Sequence, residues 1–178
     1  MSLIEVILVD AQDKPTGTME KQEVHRKGLM HRAVTVYLFN HRGELLLQRR
    51  ARDKYHCGGL WSNTCCGHPL PGEQTRHAAE RRLFEEMGVR TPLTAAFELS
   101  YHLPVTDGLS EHEYGHIFFG HYDQPPSLNP AEADAWRYSS LSQLQAEMAA
   151  PPQRFTPWFI HSLSRVVEYR QRQAAGAV

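Results

Sequence analysis

The segment that most constrains this 178-residue chain begins at Gly67 and ends at Val89. Gly67 is followed after five residues by Glu73. After seven more come Arg81, Arg82, Leu83, Phe84, Glu85, Glu86, Met87, Gly88 and Val89. Ala79, Leu83 and Met87 recur at four-residue spacing, which predicts an amphipathic helix over Glu73–Met87. Gly88 supplies the stop. Arg82 and Glu86 are one turn apart and share a different face from the apolar one. The chain must therefore fold so that one side of this helix packs on a core while the other carries charge.

Around the helix the pattern is that of a sheet. Ile4–Val9 reads as a strand closed by the turn Asp10–Pro15, and Ala33–Phe39 as a buried strand rich in β-branched and aromatic residues. Asn40–Gly43 is a hairpin signal, and Glu44–Gln48 the returning strand. Further strands are expected near Ala95–His102, Glu113–Tyr122 and Trp136–Tyr138. Helices are expected over Ser140–Ala149 and Trp158–Arg172. The sum is an α+β fold, an α/β sandwich of mixed sheet flanked by helices. One domain over residues 1–178 accounts for the length, with a fraying tail at 173–178.

Net charge is −1, from 19 basic and 20 acidic side chains, which gives no global attraction to nucleic acid or to an anionic membrane. No apolar run approaches the roughly 20 residues a membrane helix needs. The first residues are too acidic and too short for a signal peptide. The 3 cysteines show no disulfide spacing, which suits a reducing cytoplasm. Any anion site must be a local gathering of Lys and Arg.

The Gly67–Val89 segment resembles the Nudix box, G-x5-E-x7-R-E-U-x-E-E-x-G-U with U aliphatic. Every fixed position agrees except Arg82, where the box has a glutamate. Two carboxylates there would grip Mg2+. Here the face offers Glu86 and the forked guanidinium of Arg82, suited to a phosphate oxygen. Taken alone, Arg82 and Glu86 would be a solvated ion pair worth about 0.3–0.5 kcal/mol. The agreement of the surrounding box favours a functional role.

The residues just before the box are Asn63-Thr64-Cys65-Cys66-Gly67-His68-Pro69. They set a thiol, Cys66, two positions from an imidazole, His68. A free cysteine is most often a small buried hydrophobe, but cationic or metal neighbours would suit it to proton transfer. Cys65 would face the other way and be structural. Glu111 and Glu113 alternate on one strand face, with His112 on the other. His25 and His31 precede the Ala33–Phe39 strand, in a loop able to fold over a site. Three imidazoles and two carboxylates suit Zn2+, Mn2+ or another first-row ion.

Together with Phe155-Thr156-Pro157-Trp158, Arg49-Arg50-Ala51 and Pro15–Thr18 through Lys21 and His25, these stretches resemble type I isopentenyl-diphosphate Δ-isomerase across nearly the whole chain. The resemblance implies a Nudix-like fold and reversible isomerisation of isopentenyl to dimethylallyl diphosphate. It implies Cys66 and Glu113 as the acid–base pair. His25, His31, His68, Glu111 and Glu113 would hold Mn2+ or Zn2+, and Glu86 a Mg2+ arriving with the diphosphate. Lys21, Arg50, Lys54 and Arg82 would contact the diphosphate. Tyr101 and Trp158 would line the hydrocarbon pocket, with Trp61 at its border. The implied partner is this small diphosphate, with no nucleic acid or membrane and a monomeric or weakly dimeric state. An ordinary Nudix hydrolase would instead call for glutamate at position 82 and have no use for Cys66. A metal-stabilised binding protein would have no use for the acid–base candidates.

Overall fold

The structure, a computed structural model, describes residues 3–150 and 154–176. Its described strands, in chain order, are β1 (Glu5–Val9), β2 (Pro15–Glu20), β3 (His31–Phe39), β4 (Leu45–Arg50), β5 (Trp61–Ser62), β6 (Cys65–Gly67), β7 (Leu93–Pro104), β8 (Ser110–His121) and β9 (Ala133–Ser139). The helices are α1 (Lys21–Lys27), α2 (Thr75–Met87), α3 (Leu141–Ala149) and α4 (Pro157–Ala174). The mixed sheet is organised around β3. It runs parallel to β8 over its whole length and antiparallel to β1, β4 and β6.

Burial on both faces explains the near-continuous apolar run of β3. Val34, Val36 and Leu38 face α2, where they meet Ala78, Ala79, Leu83 and Met87. Tyr37 and Phe39 face the opposite layer and pack with Phe159, Leu163 and Val166 of α4. The expected apolar stripe of α2 is thus the buried one. Gly88 ends this helix in the left-handed conformation, φ 65°. The fold is the α+β sandwich expected from the pattern.

β2 and α1 are among the elements that were not expected. β2 is largely exposed and pairs only with β1, so its sequence carries no burial signal. α1 is seven residues long and mostly polar. It is held by the Glu20 carboxylate, which accepts from the amides of Gln22 and Glu23 at 3.0 and 2.9 Å. Consequently His25 lies on a helix and His31 opens β3, rather than both lying in a loop. At the other end, α4 continues through Ala174, so residues 173 and 174 are helical rather than part of a fraying tail. Residues 177 and 178 lie outside the described ones.

Gly67 is where β6 and α2 come together. A Cβ there would stand 2.3 Å from Cγ of Arg82. Gly67→Ala is expected to lower unfolding free energy by about 1–3 kcal/mol, the usual cost of overpacking, in a urea titration followed by circular dichroism.

Candidate active site

Strand register sets the centre of the site. β3 and β8 pair His31 with Glu113, and β7 and β8 pair Tyr101 with Glu113 and Leu103 with Glu111. β6 sets Cys66 beside Thr35 of β3. α1 adds His25 from above the sheet, and the turn after β6 adds His68. The five donor atoms of His25, His31, His68, Glu111 and Glu113 all lie within 4.8 Å of one another. His112 points to the other side, where its Nδ1 donates to the Gly28 carbonyl at 3.0 Å and its ring stacks on His102 at 4.2 Å.

The hydrogen bonds behind these ligands decide which nitrogen faces inward. His25 Nδ1 donates to the carbonyl of Lys21 at 2.7 Å, and His31 Nδ1 to that of Leu29 at 2.9 Å. A carbonyl only accepts, so each ring carries a proton on Nδ1, and Nε2 is the nitrogen that faces the carboxylates. His25 Nε2 is 3.2 Å from Glu111 Oε2. His31 Nε2 and His68 Nε2 are 3.2 and 2.8 Å from Glu113 Oε2. Burial pushes His68 down to about 3, against the raising pull of Glu113, so this ring is neutral at ordinary pH. Burial would raise the Glu113 carboxyl, but the hydrogen bonds of His31 and His68 outweigh it and hold it well below the usual range. Ring nitrogens and carboxylate oxygens converge here in a buried space. The set fits a divalent ion with nitrogen and oxygen ligands.

A cavity opens beside this cluster. It is lined by Cys66, His68, Glu111, Glu113 and Trp158, and by Lys21, Arg50, Lys54, Arg81, Arg82 and Glu86. Burial pushes the Cys66 thiol up to about 12, partly offset by Asn63, so it carries its proton near neutrality. Asn63 brackets the sulfur with its amide, the thiol donating to Oδ1 at 3.4 Å. Ser62 ties Asn63 to Trp158. Its hydroxyl donates to Asn63 Oδ1 at 3.0 Å and accepts from the indole N–H at 3.1 Å. Cys65 turns into the core beneath α2, as alternation on the strand requires.

The charged side of the cavity is built on α2 and the segment before β9. Glu86 is 3% exposed, so its pair with Arg82 at 2.7 Å is not the solvated contact that spacing alone would allow. Burial raises the Glu86 carboxyl despite Arg82, and Gln48 donates to it at 3.1 Å. Arg82 also reaches Glu85 at 2.9 Å and Glu132 at 3.2 Å. Glu132 accepts from Lys54 at 2.6 Å. Although burial opposes this, Lys54 and Arg82 pull its carboxyl down to about 2. Five cationic side chains, Lys21, Arg50, Lys54, Arg81 and Arg82, line one cavity, a local gathering of positive charge of the kind that the neutral overall charge left open.

Two of the expected pocket residues sit differently. Tyr101 does not line the cavity; its hydroxyl donates to Glu113 Oε1 at 2.5 Å. Trp61 is not on the cavity either, and its ring lies under the guanidinium groups of Arg49 and Arg137. Four residues of the site were not anticipated: Tyr55, His56, Asn63 and Glu132. Asn63 stood in the motif without a role. The other three carry no local signal, being an aromatic, one of 11 histidines and a glutamate in a Pro-rich loop.

Residues 29–159 match the model of the NUDIX domain. Isopentenyl-diphosphate Delta-isomerase of Pectobacterium atrosepticum is 55% identical over 171 residues, covering 96% of each chain. The chain belongs to the isopentenyl-diphosphate Delta-isomerase family. A second relative, isopentenyl-diphosphate Delta-isomerase 2 of Aromatoleum aromaticum, is 46% identical over 97% of this chain and 92% of its own. Among solved structures, DR0079 from Deinococcus radiodurans superposes with a TM-score of 0.78 at 20% identity. It covers 90% of this chain and 98% of its own, which shows the shared fold. Among the described residues of this isomerase-family chain, no helix is long and apolar enough to cross a membrane.

Burial, with Lys54 and Arg82 nearby, brings the Lys21 ammonium down to about 8. A lysine so depressed loses its charge as pH rises through that value, and the anion site loses one of its cations. The affinity for inorganic pyrophosphate with Mg2+, measured by calorimetry, should therefore fall as pH passes from 7 to 9. In Lys21→Arg this alkaline fall should flatten, because guanidinium stays charged.

Proposed function

We propose that the chain interconverts isopentenyl diphosphate and dimethylallyl diphosphate, with Cys66 and Glu113 as the proton-transferring pair. The observation that carries this reading is one cavity lined by a protonated thiol, a carboxylate and a set of cations. Its position in the isomerase family supports the same substrate. The reaction moves a C=C bond by one carbon. A proton adds at one end of a three-carbon unit and another leaves the far end, with no change of oxidation state. After one turnover the donor has lost a proton and the acceptor has gained one. The pair then resets by exchange with water, and either partner donates according to direction.

An alkene is a very weak base, so the donor must be strongly acidic toward it and the site dry. Tyr101 and the imidazoles fix the orientation of the Glu113 carboxyl, and Asn63 fixes the Cys66 sulfur. The face of Trp158 can stabilise the tertiary cation-like species by about 2 kcal/mol when desolvated. Excluding water also prevents capture of that species as an alcohol. The diphosphate does not react. Lys21, Arg50, Lys54 and Arg82 hold it as a handle, so that its binding energy orients the allylic end.

His25, His31, His68, Glu111 and Glu113 would hold Mn2+ or Zn2+, and Glu86 would hold Mg2+ together with the diphosphate. Bound there, the metal supplies fixed positive charge that polarises the carboxyl and the phosphate oxygens. Arg82 in place of a box glutamate removes a carboxylate from the helix face that a hydrolase would use to activate water.

Purified protein with Mg2+ and isopentenyl diphosphate should yield dimethylallyl diphosphate without phosphate release, and in deuterated water the product should gain deuterium. Pyrophosphate or phosphate as the main product would sink the isomerase reading. Cys66→Ala and Glu113→Gln should each lower kcat by at least about 10²–10⁴-fold with an unchanged circular dichroism spectrum. Near-normal turnover in either variant would remove that residue from the pair. Dialysis against a strong chelator should abolish turnover, and a first-row divalent ion added with Mg2+ should restore it.

A further inference from the structure

We infer that His56 is a positioning residue that orients the metal ligand Glu111 and ties it to Arg50, an inference resting on the His/Glu metal site proposed above. His56 lies in the connection between β4 and β5 and is 4% exposed. Both of its ring nitrogens are engaged. Arg50 Nη2 is 3.2 Å from Nδ1. A guanidinium only donates, so Nδ1 must be the acceptor and the ring proton lies on Nε2. Nε2 then donates to Glu111 Oε1 at 2.5 Å. His25 Nε2 faces both oxygens of the same carboxylate, 3.1 Å from Oε1 and 3.2 Å from Oε2.

With neither nitrogen free, His56 is not itself a ligand. It acts on one, through the outer-shell hydrogen bond that ligating carboxylates generally require. The ring has no freedom to turn. Tyr55 packs on it at 4.2 Å and Trp158 at 5.5 Å. Arg50 also donates to the His56 carbonyl from Nε and Nη2, at 3.4 and 3.1 Å, which fixes the backbone beneath the ring. The same Arg50 lies 5.2 Å from the Trp158 ring centre and faces the cavity. One imidazole thus spans a cavity cation, the wall of the pocket and a metal ligand. His56 is 55 residues from Glu111, and no spacing rule links them.

The test is Co2+ binding to the metal-free full chain without substrate, followed by visible d–d absorption and by competition with a chelator. His56→Phe keeps a ring between Tyr55 and Trp158 but has no donor. It should weaken Co2+ binding about 10–100-fold and shift the spectrum, whereas His56→Gln, whose amide reaches where Nε2 stood, should stay near wild type. His56→Phe with wild-type affinity and spectrum would overturn the inference. Equal loss in both variants would also overturn it, because shape rather than the donated hydrogen bond would then be the cause. Failure of the metal site itself would look different, since the wild-type chain would bind no Co2+.

Discussion

The parallel pairing of β3 with β8 is the contact on which the rest of the molecule depends. It sets His31 beside Glu113 and, four residues on, Thr35 beside Ile117. β6 pairs with the same β3 and delivers Cys66 opposite Thr35. β7 pairs with β8 and delivers Tyr101 opposite Glu113. Side chains alternate along a strand, so a slip of one residue would send Glu111 and Glu113 out of the site and His112 into it. The apolar layers forbid that slip. It would also turn Phe118 away from the layer under α2 and Ile117 and Phe119 away from the layer under α4. Core packing and the geometry of the His/Glu cluster are therefore specified by the same register.

That register brings several charges into one poorly solvated place. Glu86, Glu111 and Glu113 are 3%, 4% and 6% exposed. A carboxylate buried without partners costs several kcal/mol. Each of these three has partners of its own. Glu113 has His31, His68 and Tyr101, Glu111 has His25 and His56, and Glu86 has Arg82 and Gln48. The partners differ in kind. Imidazoles meet Glu111 and Glu113, whereas a guanidinium and an amide meet Glu86.

The parts of this arrangement legible in the sequence were those governed by period. The apolar face of α2, the stop at Gly88, the buried strand β3 and the alternation of Glu111 with Glu113 all follow from spacing. The proposed ligand set and proton-transferring pair rest on motif resemblance, because single histidines and cysteines carry no such period. What escaped was short, exposed or remote. β2 and α1 bury too little apolar surface to leave a pattern. Glu132 meets Lys54 across 78 residues and His56 meets Glu111 across 55. Such contacts exist only once the sheet has assembled, and Asn63 acquires its role only when Cys66 is beside it.

Arg82 shows why one departure from a motif can carry so much. A glutamate at this position would put a third carboxylate beside Glu86 and Glu132, in a pocket where burial already raises the Glu86 carboxyl. Only bound cations could hold three such groups ionised. Arg82 instead donates to Glu86 and Glu132 and leaves the helix face balanced without any ion. A divalent ion gains most on this face when a diphosphate brings additional negative charge with it. Under the proposed function, the arginine thus turns a face that would recruit metal to attack phosphate into one that holds phosphate still while the chemistry takes place at Cys66 and Glu113.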